Sequence, residues 1–463
     1  MKIFRINSHY NNTNFLQKVS NENYSEKKLK INDEIISLGV GLCVFFLGAL
    51  LIYKSAKSSL KTVSDFEKSL SQADKKFYNN IIDSLRAFGI DVKIDSLQSI
   101  VAPDAFSELI KKFKPEHFNA GLQISQATLN KKTLDEFYKN AVEGNFRVSL
   151  HTHSNFSDGK ATVEEFLDNA VKYADKVAAM NKNDGLPPLT IALTDHDSIK
   201  GCQEIIKLIA KEPNKYKNLK FVSGCEFSVQ RGDKHHDVTG LALNPFDKNL
   251  IKVLSDLSEA RKKIIQEFLD KQPEFNGKKI SYNDLAEYEK QHYKSTGKGY
   301  KHCIENISGL VSVRHAVKFY YKMTGQAIDY DMMNVLGNKK ILPIEQVVNT
   351  IKENGGYASL THPIKSFWCY IGDDELLKLK NMGISGIEVN HQYSPSKITK
   401  LGKIHHNIDS ADSMFKELTQ KYKDFAEKNG MFLSGGTDSH EKQIFSREPF
   451  ITSEFLNEKI LKP

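Results

Sequence analysis

From residue 146 onward, short apolar runs alternate with amphipathic helical stretches, and this alternation limits the fold more than any other property of the chain. Strand-like runs sit at 146–151, 189–194, 219–223, 238–243, 357–361, 384–389 and 431–434. Between them lie helical patterns with apolar residues at three- and four-residue steps, as in Val163 to Val177 and Pro343 to Glu353. Alternation of this kind predicts a parallel α/β sheet or barrel. The stretch 250–342 interrupts it with charged helical segments and no clear strand, as a helical insertion would.

The ends of these runs carry the chemistry. The first ends in His151-Thr152-His153-Ser154-Asn155-Phe156-Ser157-Asp158-Gly159. Side chains two apart share a face of an extended chain, so His151 and His153 can grip one ion, and the turn that follows offers the Asp158 carboxylate. The second ends in Thr194-Asp195-His196-Asp197 and the third in Gly224-Cys225-Glu226. The fourth lies beside His235-His236-Asp237, and the fifth ends in Thr361-His362-Pro363. The sixth ends in Glu388-Val389-Asn390-His391 and the seventh in Thr437-Asp438-Ser439-His440. A lone His-x-His matches by chance. A whole series of strand ends enriched in His, Asp and Glu does not, because parallel α/β folds build their sites at the C-terminal ends of strands.

The rest of the chain is read from composition. Residues 1–34 are polar and form an expected disordered tail. Residues 35–53 carry no charge, and as a helix they would span about 28 Å, close to the hydrocarbon thickness of a bilayer. A single transmembrane helix is expected there, followed by an interfacial Tyr53 and Lys54. Lysines flank it on both sides, so the positive-inside rule does not fix orientation; the cytoplasmic side is slightly favoured for the catalytic domain. Residues 54–145 read as a helical stalk or packing collar, with Phe66, Leu70, Ala73, Phe77, Ile81, Leu85 and Phe88 along one stripe. The formal net charge of +8 permits an anionic substrate without demanding nucleic acid. The five cysteines show no Cys-x-x-Cys spacing and read as reduced thiols, which excludes a disulfide framework or a zinc finger.

Taken together, His-Thr-His-Ser-x-x-Ser-Asp-Gly, Leu-Thr-Asp-His-Asp, Gly-Cys-Glu-Phe-Ser, Thr-His-Pro and Gly-Gly-Thr-Asp-Ser-His resemble the PHP (polymerase and histidinol phosphatase) superfamily of metal-dependent phosphoesterases. The resemblance covers residues 146 to about 445. It is closest to the bacterial nucleoside-bisphosphate phosphatase and 5'-3' exoribonuclease branch, through Ile280-Ser281-Tyr282, Val313-Arg314-His315-Ala316 and Gly386 to His391 with Ser394-Pro395. It implies a distorted seven-stranded βα barrel; with the helical insertion read above, the expected bounds are 146–250 and 343–445 for the two parts of the barrel, 251–342 for the insertion and 446–463 for a C-terminal tail. It also implies two or three divalent metals. Ligands carried over are His151, His153, Asp158, His196, Glu226, His362, Asp438 and His440. One position departs from the family: its fourth strand places His three residues before a Gly, where this chain has Asp237 before Gly240, with His236 one residue earlier. Either Asp237 ligates in its place or a bulge brings His236 round.

Mixed imidazole and carboxylate ligands suit Mn, Fe or Zn better than Mg. Clustered ions of this kind can clamp a phosphate and activate a water, with Asp158 and His196 among the catalytic groups. Asp195 and Asp197 are candidate outer partners orienting the imidazoles. Arg314, His315, Lys365 and His391 are candidate substrate contacts, with Arg314 and His315 also in a catalytic role. Phe367, Trp368 and Tyr370 could stack a base, although packing explains aromatics at such positions as well. The expected function is hydrolysis of phosphate esters of nucleotides or short oligonucleotides, at a membrane bound through residues 35–53. The alternatives are a small-metabolite phosphatase of the histidinol-phosphatase type and an inactive PHP scaffold at a membrane. No protein partner is inferable.

Overall fold

The computed structural model describes residues 65–118, 146–180, 183–231, 234–296, 313–326, 342–364, 371–391 and 411–440. The tail 1–34, the apolar run 35–53 and the C-terminal tail 446–463 lie outside the described residues. Among the described residues no helix is long and apolar enough to cross a membrane.

Seven strands form one sheet in sequence order: β1 (Val148–Ser149), β2 (Leu189–Leu193), β3 (Leu219–Arg231), β4 (Lys234–Leu241), β5 (Tyr357–Leu360), β6 (Ile384–Asn390) and β7 (Phe432–Gly435). Neighbours β1–β2–β3 and β5–β6–β7 are parallel. The backbone beyond β7 returns to β1: Leu150 N–H donates to Gly435 O at 2.8 Å, Asp438 N–H to His151 O at 2.9 Å and His153 N–H to Ser439 O at 3.1 Å. The sheet is therefore a nearly closed barrel.

The expectation of a parallel arrangement fails at one strand. β4 runs antiparallel to both β3 and β5. β3 continues past residue 223 to Arg231, which pairs with Lys234, and two residues leave no room for the crossover that parallel strands need. The reversal brings the start of β4, with Asp237, to the end of the barrel where the other strands finish.

Helices cover the outside. α1 (Gln72–Ala87) and α2 (Pro103–Ile110) precede the barrel; α3 (Val163–Ala179) and α4 (Lys200–Lys211) follow β1 and β2. α3 begins with a capping box, Thr162 Oγ1 accepting from Glu165 N–H and the Glu165 carboxylate from Thr162 N–H. Its face of Phe166, Leu167, Ala170, Tyr173, Ala174 and Val177 is buried in the main core. α5 (Lys248–Asp270), α6 (Tyr282–Thr296) and α7 (Val313–Thr324) occupy the insertion. α8 (Ile344–Glu353), α9 (Asp373–Met382) and α10 (Ala411–Lys428) complete the layer.

α5 spans the boundary expected at 250/251 and serves both sides of it. Its Leu250 and Leu254 belong to the main core. Its Ile264, Ile265, Phe268 and Leu269 join Leu285 of α6 and Ala316, Phe319 and Tyr320 of α7 in a separate apolar cluster. Nearer the N-terminus, Val101, Phe106, Ile110 and Phe118 pack with Val148, Leu150, Ala192, Val222 and Leu241 in a further apolar cluster. Phe77, Ile81 and Leu85 of the N-terminal stripe are buried as the spacing requires. Phe88 is not: it ends α1, stands 59 % exposed and carries the Lys207 ammonium 4.1 Å over its ring.

Candidate metal centre

The strand ends deliver their polar residues to one mouth. His151 and His153 leave β1 on the same face, and their Nε2 atoms are 3.0 Å apart. Glu226, within β3, sits at the centre. Its Oε2 is 3.1 Å from His151 Nε2, 3.3 Å from His153 Nε2 and 3.1 Å from His196 Nδ1, and its Oε1 is 3.1 Å from His362 Nε2. Asp438 Oδ1 lies 3.1 Å from His153 Nε2. Asp158, from the turn after β1, reaches His440 Nε2 at 3.1 Å and His196 Nε2 at 3.7 Å. Asp237 Oδ2 lies 3.9 Å from His362 Nε2.

Among the described residues these side chains form overlapping groups whose donor atoms converge closely enough to share an ion: His153, Asp158, His196 and His440; His151, His153 and Glu226; Glu226, Asp237 and His362; and His151, Glu388 and His391. Donor chemistry tests the fit. Glu226 Oε1 and His196 Nδ1 are buried and make no hydrogen bond, although each faces a ring nitrogen or carboxylate oxygen at 3.1 Å. Buried polar atoms are nearly always hydrogen-bonded. Atoms that converge without bonding one another have the geometry of ligands around a cation. Divalent metals fit this set.

The electrostatics agree. Burial works against the charge on Glu226 and Asp158, but the surrounding imidazoles hold both carboxyls well below the usual carboxylate range. Burial pushes the His151 imidazole down, yet Glu226, Glu388 and Asp438 outweigh it and raise it well above the ordinary imidazole value. His196 is raised in the same way, by Glu226, Asp158 and Asp237 against its burial. Backbone strain collects here too. Asp197, His362 and Asp438 all adopt positive φ, at 47°, 27° and 46°. Such conformations cost of order 1–3 kcal/mol each and persist where the surroundings over-determine them. Gly436 shows how tight the packing is, since a Cβ there would lie 2.6 Å from the His151 backbone nitrogen.

Among the described residues, Asp237 joins the Glu226–His362 group. The β3–β4 register runs unbroken from Lys234 to Leu241, so the bulge that would bring His236 round is absent. Asp195 reaches an imidazole through a hydroxyl: Ser157 Oγ, which it holds, lies 3.4 Å from His153 Nδ1. Its carboxylate accepts from Ser154 N–H at 2.8 Å, Ser154 Oγ at 2.7 Å and Ser157 Oγ at 2.6 Å, bracing the turn that presents Asp158. Burial raises the Asp195 carboxyl in spite of these donors. Asp197 accepts from Ser228 N–H at 3.1 Å and pairs with the buried guanidinium of Arg261 on α5. Of Arg314 and His315 only the backbone is described, at the start of α7; Lys365, Phe367, Trp368 and Tyr370 lie outside the described residues.

His391, expected among the substrate contacts, is instead 1 % exposed and lies beneath the ligands. Sequence reasoning passed over Glu388 and Arg261. Glu388 stood in plain view at a strand end, but its contacts come from strands far apart in sequence. Arg261 is one of many charged residues in a helical pattern, and no spacing distinguishes it.

A family model described as the PHP domain matches residues 149–434. A 3',5'-nucleoside bisphosphate phosphatase of Chromobacterium violaceum is 31% identical over 114 residues, covering 25% of this chain and 34% of that protein. The chain thus matches about a third of that relative's length. Among solved structures, a metal-dependent phosphoesterase of Bifidobacterium adolescentis aligns with TM-score 0.44 and 18% identity, over 64% of this chain and 88% of that one. An amidohydrolase of Chromobacterium violaceum with bound sulfate aligns with TM-score 0.40 and 20% identity, over 65% and 91%. The family match spans more than half of the sequence and contains the strands that build the centre, and on that ground the chain belongs to the PHP domain family.

Proposed function

We propose that this chain is a metal-dependent hydrolase of phosphoric esters, and that its substrate is a phosphorylated nucleotide or short oligonucleotide. The observation that carries the reading is the convergence of His151, His153, Asp158, His196, Glu226, Asp237, His362, Asp438 and His440 at one barrel end, with buried donor atoms left without hydrogen bonds. Ions bound there would supply an activated water and neutralise phosphoryl charge. The imidazole-rich set favours Mn, Fe or Zn over Mg.

The chain's own residues divide the remaining work. His151, His153, Glu226 and Asp438 are essentially buried, so they hold and do not meet substrate. Asp158, His196, Asp237 and His440 have side chains 16 %, 22 %, 29 % and 29 % exposed, and they line the open side where a phosphoryl group arrives. Asp195 keeps the Asp158 turn in place through Ser154 and Ser157. The nucleotide preference draws support from the name of the Chromobacterium relative and from Arg314 and His315, whose helix belongs to the insertion. We propose further that the uncharged residues 35–53 anchor the chain in a membrane.

The test is phosphate release from a nucleoside 3',5'-bisphosphate, a dinucleotide and a simple phosphomonoester, by protein stripped of metal and then reloaded. Chelation is expected to abolish release and Mn²⁺ to restore it better than Mg²⁺. Full activity of demonstrably metal-free protein would end this reading. Retention of the intact chain in washed membranes, with release of a chain starting at Lys54, tests the anchor.

A further inference from the structure

Beneath the ligands lies a buried pair of side chains, Glu388 and His391, at 2 % and 1 % exposure. Glu388 Oε2 accepts the backbone N–H of His362 at 2.9 Å and lies 3.1 Å from His151 Nδ1. Glu388 Oε1 is 3.3 Å from the same His151 nitrogen and 3.4 Å from His391 Nδ1. The other nitrogen of His391, Nε2, is 3.5 Å from Asp438 Oδ2. One carboxylate therefore touches two of the ligand residues, and through His391 it reaches a third.

We propose that Glu388 and His391 are positioning residues for the metal ligands: Glu388 fixes the tautomer of His151 and the turn at His362, and the buried His391 ring is the spacer that holds Asp438 and the same carboxylate at their separation. The inference rests on the metal-binding reading above. A neutral imidazole carries one N–H. A carboxylate behind Nδ1 claims that proton and leaves the Nε2 lone pair to a metal. His151 has this arrangement, with Nδ1 turned to Glu388 and Nε2 turned to His153 and Glu226. The ring cannot bind an ion at each nitrogen while neutral. The convergence of His151, Glu388 and His391 is thus a brace and not one more ion position. At His362, the hydrogen bond from its own N–H to Glu388 helps to hold the strained φ of 27° that presents its ring. His391 packs between these parts, its ring centroid 5.0 Å from that of His362 and 6.1 Å from that of His151.

The experiment uses the full chain, with Glu388→Gln and His391→Gln beside the wild type. Mn²⁺ content is measured by elemental analysis, affinity by competition with a chromophoric chelator, and melting on both the metal-free and the Mn²⁺-saturated forms. Glu388→Gln keeps the shape and removes the charge. Its Mn²⁺ affinity is expected to fall by roughly ten- to hundredfold. Turnover and melting at saturating Mn²⁺ should stay near wild type, while the metal-free form melts lower because the Glu388 charge is gone from beside His151. That split separates positioning from a general loss of structure, which would lower melting of the loaded form as well, and from direct catalysis, which excess metal would not rescue. His391→Gln should show a smaller loss of affinity in the same sense, and it carries the test alone if Glu388→Gln does not fold. Unchanged affinity in the folded variants overturns the inference. So does the loss of one whole ion equivalent with the others unaffected, because Glu388 would then be a ligand. A wild type that binds no metal removes the functional reading itself, and this inference with it.

Discussion

At the scale of single residues, the centre turns on which nitrogen or oxygen each side chain presents. Asp237 is the sharpest case, because the family pattern leads one to expect histidine there and the chain offers a carboxylate. Its Oδ2 approaches His362 Nε2 at 3.9 Å, and the unbroken β3–β4 register leaves no bulge at His236. Asp237→Ala is expected to lower bound metal and turnover together by about tenfold or more, as losses around a metal site do. His236→Ala should leave both within a few-fold. Metal analysis and phosphate release on the two variants decide it, and the reverse order would mean that His236 ligates. His151 and His153 were legible because a two-residue period in an extended chain admits one geometry. The role of Asp195 was not. Spacing put a carboxylate beside His196, but Ser154 and Ser157, some forty residues earlier, supply its donors. Pairings across that distance leave no local pattern.

At the scale of elements, the insertion is tied to the centre through α5. Arg261 and Asp197 are 6 % and 4 % exposed, and Asp197 directly follows His196. Removing one partner of a buried pair strands the other's charge, at a cost of about 3–5 kcal/mol. Arg261→Met should therefore lower the melting temperature clearly and weaken metal binding, while adding Asp197→Asn should recover most of the stability. Thermal melts of both single variants and the double variant check the coupling; additive losses would show that the pair does not act as a unit. α7 belongs to the same element group. If Arg314 grips a second phosphate, Arg314→Ala should slow a nucleoside bisphosphate by roughly ten- to hundredfold, at 1.4 kcal/mol per decade. A simple phosphomonoester should be turned over as before, and equal loss on both substrates would point to a structural role. Strand and helix placement was legible in the alternation of patterns. The direction of β4 was not, because periodicity reports burial and not polarity; the short connection from Arg231 to Lys234 carried that information.

At the scale of the whole molecule, the metal-free protein must hold an array of like ligands together without the ion that organises them. Protons stand in for it. His151 and His196 are raised above the ordinary imidazole value, chiefly by carboxylates that outweigh burial. A raised imidazole contributes stability below its unfolded-state pKa and loses it as pH climbs through the folded value. Asp158, Glu226 and Glu388 are held low by the imidazoles against their burial, so their contribution is present above the ordinary carboxylate range and fades on acidification. Both contributions are complete only at roughly pH 4.5 to 6.5, and the metal-free protein should melt highest there, losing stability progressively as pH climbs toward 8. Metal reverses the slope. Ligands must shed those protons to bind, so affinity rises with pH, and an ion at a hundred times its Kd adds about 2.7 kcal/mol to the folded state. The gap between the melting temperatures of Mn²⁺-loaded and metal-free protein is therefore expected to widen steadily from pH 5.5 to 8. Differential scanning calorimetry of both forms across that range measures it directly. A gap that stays constant or narrows with pH would mean that the imidazoles do not exchange protons for metal.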